Sequence, residues 1–204
     1  MGAENTVTTT ASFAEKPTLT GELVTLRPFV AGDLSAMREA IGDPDVGRLT
    51  GSVHSSEEVA DAFDEATLRE WYATRNEQVD RLDLAVVDQV TGECVCEVVL
   101  NEWEQGNASC NLRILIGPGG RDRGLGTEAT RLVLRHAFEA LALHRVGLEV
   151  YALNPRAQRA YEKVGFVREG VRRDALRFDG EWVDSIVMSV LATEWSHHRG
   201  NPLG

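Results

Sequence analysis

No apolar run in this sequence approaches the roughly 18 residues that a membrane-spanning helix requires, so no membrane partner is expected. Cysteine is scarce: Cys94 and Cys96 share one face of a single predicted strand, and Cys110 falls on the next. A zinc site wants about four ligands, and no histidine stands at metal spacing nearby. No metal is expected, and the thiols read as buried and free. Positive charge is in deficit, with 21 Lys and Arg against 32 Asp and Glu and a net charge of −11. That balance opposes nucleic-acid binding, which draws on a basic surface. It suits a cationic partner such as an amine, although an acidic surface also serves simple solvation. Residues 1–17 lack both a basic leader and an apolar core, so no secretory signal is expected and the location reads as cytoplasmic. Internal repeats and a composition break are missing too. The expected organisation is a flexible tail over residues 1–20, one domain over 21–192 and a tail over 193–204.

What is present is a run of alternating elements. Residues 23–28 read as a first strand ended by Pro28. Asp33 is placed to cap a short helix over 34–41, stopped by Gly42-Asp43-Pro44. Ser55 and Glu58 have capping-box spacing and predict a longer helix in which Val59, Phe63, Ala66, Leu68 and Trp71 recur near helical period. Strands follow at 82–87, 94–103 and 110–116, and the short turns between them imply antiparallel neighbours. From Thr127 a helix pattern puts Ala129, Leu132, Val133, Ala137, Ala140 and Leu141 on one face and Glu128, Arg131, Arg135 and Glu139 on a polar stripe. The strand at 145–151 then closes a right-handed crossover between parallel strands. Asn154 and Pro155 open another helix, ended by Gly165. A closing hairpin turns at Asp179-Gly180. The fold class is therefore α/β, a mixed sheet of about seven strands with about four helices, antiparallel at first and parallel around residues 111–151.

At the centre of the crossover lies a glycine-rich turn, Arg121-Asp122-Arg123-Gly124-Leu125-Gly126. Glycines allow close backbone approach, and the following helix presents unpaired N–H groups and a positive dipole end to an anion. A P-loop would end in Gly-Lys-Ser/Thr, where Leu125-Gly126-Thr127 stands. A dinucleotide fingerprint beginning at Gly117 would need glycine at position 122, where Asp122 stands. The pattern that fits is Arg-x-x-Gly-x-Gly, followed by Asn154-Pro155-Arg156-Ala157 and by Ala160-Tyr161-Glu162-Lys163-Val164-Gly165-Phe166. Together these resemble the acyl-CoA motif and the second signature block of the GNAT superfamily of N-acetyltransferases, over about residues 23–191. The RimJ/RimL type is the nearest flavour, through the opening Leu26-Arg27-Pro28-Phe29 and the ending Glu169-Gly170 with Asp179-Gly180-Glu181-Trp182-Val183-Asp184.

The resemblance implies acetyl-CoA as co-substrate, an amine as acceptor, and a fold in which the strand before the turn carries a bulge and splays from the strand after the helix. The pantetheine arm would then follow that strand, with Ile114, Leu115 and Ile116 nearest the thioester. The pyrophosphate would sit on N–H groups of Arg121, Asp122, Arg123, Gly124, Leu125, Gly126 and Thr127, with the side chains of Arg121 and Arg123 adding positive charge. Asn154 would cap its helix and bond the cofactor arm, with Ala157 beside it. Tyr161, on the inward helical face, is the implied general acid, against the plain alternative of a packed aromatic. Glu149, twelve residues before Tyr161, matches the glutamate–tyrosine pairing of ribosomal-protein N-terminal acetyltransferases and is the candidate base. Glu97 and a water chain compete for that role. The acceptor stays open between a protein N-terminal α-amine and a small amine such as a polyamine, an aminoglycoside or an amino acid derivative. A catalytically silent acyl-CoA-binding module is the reading from another class, and a homodimer is the family-based expectation.

Overall fold

The computed structural model describes residues 12–58 and 64–198. The first strands are β1 (Leu19–Thr20) and β2 (Val24–Arg27), followed by the helices α1 (Leu34–Ile41), α2 (Pro44–Thr50) and α3 (Glu65–Arg75). Then come β3 (Leu82–Asp88), β4 (Cys94–Glu104), β5 (Ser109–Ile116), α4 (Leu125–Arg135) and β6 (Arg145–Tyr151). The chain closes with α5 (Pro155–Lys163), β7 (Val167–Phe178), β8 (Glu181–Leu191) and α6 (Ala192–His198). One eight-stranded sheet runs in the order β1-β2-β3-β4-β5-β6-β8-β7, and β5–β6 is its parallel pair.

Two cores sandwich this sheet. On one face Ala129, Leu132, Val133 and Ala137 of the α4 region and Tyr161 and Val164 of the α5 region pack on Leu84, Val98, Leu112 and Leu148. On the other, Met37 and Ala40 of α1 and Leu68 and Tyr72 of α3 pack on Ala85 and Cys96. The buried face of α4 follows the expected apolar repeat, and a π-turn (His136–Ala140) carries the helix on toward β6. At the hairpin, Asp179 (φ 48°) and Gly180 (φ 85°) both take the left-handed conformation that a two-residue turn requires. The three cysteines are free, with Cys96 and Cys110 buried.

Several local expectations change. Parts of the segments read as tails, 1–20 and 193–204, pack on the domain. Phe13 is fully buried with its ring 5.2 Å from Trp103, and Lys16 Nζ donates to the carbonyls of Phe13 and Gln78 at 2.6 Å. At the far end Trp195 is buried on α6, its indole N–H donating to Glu139 at 3.1 Å. Single apolar anchors in polar segments have no period to betray them. The helix does not open at Ser55. Residues 54–57 form turns, and Ser56 N donates to Asp179 of the hairpin at 2.7 Å. Asp64 caps α3 instead by accepting from Thr67 N, and Val59 and Phe63 lie outside the described residues. Trp71 faces outward under the Arg75 guanidinium rather than joining Leu68 inside. Asp43 does more than stop α1, because its carboxylate accepts from Val46 N and starts the unexpected α2. Asp33 caps through no side-chain bond to α1; it holds Arg27 and the Val30 N–H. Glu128 leaves the polar stripe altogether. Nearly buried, it accepts the N–H groups of Glu22, Leu23 and Val24 at 2.7–2.8 Å and so ties β2 to the first turn of α4.

Candidate active site

The parallel pairing of β5 and β6 covers only Ser109–Arg145, Cys110–Val146 and Asn111–Gly147. Beyond that point β5 continues to Ile116 and β6 to Tyr151 without pairing to each other. Backbone groups of residues 112–116 on that side are left facing a gap, and buried backbone polar groups demand partners. The expected bulge lies elsewhere. It is in β4, where the register shifts between Asn101 and Glu104, and Glu102 takes φ 51°. On β5 every residue from Asn111 to Ile116 remains in register with β4, so that strand had no residue to spare for a bulge.

The gap opens into a cavity of about 530 Å³ that reaches both faces of the sheet. Ile114, Leu115 and Ile116 line it, as do Arg121, Asp122, Gly124, Leu125, Gly126 and Thr127 of the turn. Gly124 has φ 78°, and Glu128 N is the first amide to bond back, to Gly124 O at 3.0 Å. The preceding N–H groups at the start of α4 have no intrahelical acceptor and present a dipole end to an anion. A Cβ at Gly126 would stand 3.2 Å from Ile116 Cγ1, so glycine is what lets the helix start lie close over β5.

The arginines of the turn behave differently from expectation. Arg123 does not reach the cavity; it pairs with Asp88 at 2.7 Å, at the far side of the turn. Arg121 lines the cavity but is engaged by Asp43 and, at 3.6 Å, by Asp45. Burial would raise the Asp43 carboxyl, yet the Arg121 bond and the Val46 N–H hold it below its ordinary value. Arg156, read from sequence as an outward residue, lies on the wall instead and meets Asp122 at 3.1 Å. Its place in the first turn of α5, two residues after the Asn154 cap, was the signal in the sequence. Asn154 accepts from Ala157 N at 3.1 Å, and both line the cavity.

Tyr161 is buried in the α5 wall, its ring 5.7 Å from Phe166. Burial pushes its phenol up to about 12, so it stays protonated at neutral pH. Among the described residues its hydroxyl has no hydrogen-bond partner. Glu149 lines the same cavity from the opposite face of the sheet, since its neighbours Leu148 and Val150 point into the α4 core. Its carboxylate takes Arg172 Nη1 at 2.7 and 2.8 Å and Ser185 Oγ at 3.0 Å. Glu97 is not part of the lining. It is buried beneath α3, bonded by Arg113 at 2.7 Å and by the Tyr72 hydroxyl at 3.2 Å, and burial raises its carboxyl. Sequence reasoning missed Glu102, Arg113, Arg172 and Ser185, along with Val46, Leu49 and Thr50 of α2, which complete the wall. Charged residues on exposed strand faces look alike in sequence whether or not a cavity opens beside them.

Among the described residues no cluster of three or more His, Cys, Asp or Glu is arranged to hold a metal ion, and no helix is long and apolar enough to cross a membrane. Residues 24–167 match the family described as the acetyltransferase (GNAT) domain. YjcK of Bacillus subtilis, which carries an N-acetyltransferase name, is 41% identical over 69 residues, covering 34% of this chain and 38% of that protein. The ribosomal protein uS5 alanine N-acetyltransferase of Escherichia coli is 28% identical over 91 residues, 45% of this chain and 47% of its own. Among solved structures, spermidine N-acetyltransferase from Vibrio cholerae in complex with CoA and spermine superposes with a TM-score of 0.73 at 25% identity. That match covers 86% of this chain and 99% of the other. With the diverging strands, the glycine turn and the tyrosine-bearing helix in these positions, the chain belongs to the GNAT family of N-acetyltransferases.

Proposed function

We propose that the protein transfers the acetyl group of acetyl-CoA directly to the nitrogen of a small cationic amine, with polyamines the first class to test. The observation that carries this reading is the cavity through the sheet. Its one end is made of helix-start N–H groups and unpaired strand backbone, its other end bears the carboxylates of Glu102 and Glu149 beside the paired Arg113 and Arg172, and Tyr161 stands in the wall. The donor end fits acetyl-CoA by its chemistry: N–H groups of Leu125, Gly126 and Thr127 for the pyrophosphate, backbone of residues 112–116 for the pantetheine amides, and Arg121 and Arg156 as nearby cations. When bound, acetyl-CoA supplies an activated acyl carbon.

The protein's own groups handle protons. An amine attacks only when neutral. Side-chain-type amines have pKa values near ~10.4 and α-amines near ~7.7–8.0, so neutralisation at pH 7 costs about 4.6 and about 1 kcal/mol respectively. We assign proton donation to the departing sulfur to Tyr161, whose raised phenol retains its proton. Glu149 is assigned the removal of the amine proton, directly or through water, with Ser185 orienting it. Because Arg172 occupies both of its oxygens, the base acts only as that ion pair loosens. Glu97 is set aside because it is buried beneath α3 and does not line the cavity, whereas Glu149 does.

A protein N-terminal α-amine is the second reading, favoured by the likeness to the uS5 enzyme. The polyamine reading is put first on the likeness to the Vibrio cholerae enzyme, over 86% of this chain and 99% of the other, together with the Glu102 carboxylate on the cavity wall, unpaired among the described residues. The test is CoA release from acetyl-CoA with polyamines, aminoglycosides and alanine-initiated peptides. Spermidine or spermine is expected to give the highest kcat/KM. Faster turnover of the peptides would replace the first reading by the second, and binding of acetyl-CoA with no CoA release from any amine would overturn both.

A further inference from the structure

Charged side chains crowd the cavity wall, and almost all of them are already paired. Arg121 is held by Asp43, Arg156 by Asp122, Glu149 by Arg172 and Arg113 by Glu97. Glu102 is the exception: among the described residues its carboxylate makes no hydrogen bond and no ion pair. It is also the residue at the β4 bulge, with a φ of 51° that costs a non-glycine residue backbone energy. Bulges re-aim side chains, and this one brings an exposed carboxylate onto the cavity wall.

We infer that Glu102 binds a second positive charge of the acceptor and so selects amines carrying two separated cations over those carrying one. This rests on the reading of the acceptor as a cationic amine. The remaining charges on the acceptor side cancel as pairs, which leaves Glu102 as the group that gains by meeting a cation. Its place sets a length. Asn101, next to it, is opposite Asn111, and Ile114 at the donor end lies three residues further along β5. At about 3.3 Å per residue that is roughly 10 Å. The outer nitrogens of a triamine or of a long diamine span such a distance; those of a short diamine do not.

The test is a series of α,ω-diamines of increasing length, each with its matched monoamine, assayed at saturating acetyl-CoA. In the wild type the KM of the long diamines should fall below that of the matched monoamines by about tenfold, as one charge-assisted contact predicts. The advantage should vanish for the shortest diamines. In Glu102→Gln the monoamine-to-diamine KM ratio should move toward one, with the loss in KM rather than kcat. A wild-type ratio near one at every length, or a ratio that survives in Glu102→Gln, would overturn the inference. Calorimetry of spermidine binding to the CoA-loaded protein reads the same contact without turnover. Equal affinity in wild type and variant would refute the role of Glu102 even if no amine proved to be a substrate, which separates its failure from that of the acetyl-transfer reading.

Discussion

The two ends of the cavity are built from different materials. At the proposed donor end the groups on offer belong to the backbone: helix-start N–H groups, an unpaired strand edge, and glycines that keep side chains out. At the proposed acceptor end they are side chains on β4, β5, β6, β7, β8 and α2, most of the charged ones locked in ion pairs. Backbone recognition tolerates almost any side chain but depends on shape. Side-chain recognition survives small shifts in shape but depends on residue identity. The donor end should therefore fail when it is filled, and the acceptor end when it is recharged.

The largest effect that sharpens this contrast is expected from Gly126→Glu. A side chain there begins 3.2 Å from Ile116 and brings a negative charge to the anion end of α4. Acetyl-CoA affinity should drop by at least about a hundredfold, and wild-type affinity by calorimetry would break the assignment of the donor end. Next comes Tyr161→Phe. Removing the hydroxyl keeps the ring packing and takes away the proton donor, so turnover should fall by about 10²–10⁴-fold with CoA affinity within about twofold. Undiminished turnover would reduce Tyr161 to a packed aromatic.

A stability effect is expected from Glu128→Ala, which leaves the N–H groups of Glu22, Leu23 and Val24 without their acceptor. The cost should be about 3 kcal/mol, lowering Tm by roughly 6–12 °C. A melting curve that overlays the wild type would show that α4 is not anchored through this carboxylate. The smallest effect is expected from Glu97→Gln, which keeps the shape and one acceptor under α3. Turnover should stay within about twofold, whereas loss of a general base would cost about a hundredfold or more. A loss of that size would return Glu97 to the reaction and blur the division between cavity wall and core.

Legibility differed between the two ends for the same physical reason. The glycine turn, the α4 repeat and the Asn154–Pro155 start of α5 all encode local backbone geometry, and local geometry leaves marks at short spacing. Tyr161 could be placed on the inward face because it keeps a helical phase with Ala157 and Val164. Spacing alone did not separate Glu97 from Glu149, since a carboxylate within an apolar strand run can face a pocket or a packed layer alike. Only the positions of α3 and of the β5–β6 gap send one beneath a helix and the other onto the cavity wall. Arg123 was misplaced for a related reason: a flexible side chain beside a turn goes to the nearest countercharge, here Asp88 at the β3–β4 turn. Phe13 and Trp195 show the limit at the tails, where one buried ring anchors a segment that has no pattern.

By itself, the sequence determined the order of most strands and helices, the crossover around the glycine turn and the helix start that follows it. All of these follow from residues within one or two turns of each other in the chain. The tertiary structure alone decided which charges are spent on each other and which remain. That question depends on contacts such as Arg172 with Glu149, 23 residues apart, and Arg121 with Asp43, 78 apart. A charge is free only when no opposite charge folds against it, and Glu102 became conspicuous only after its neighbours had found their partners.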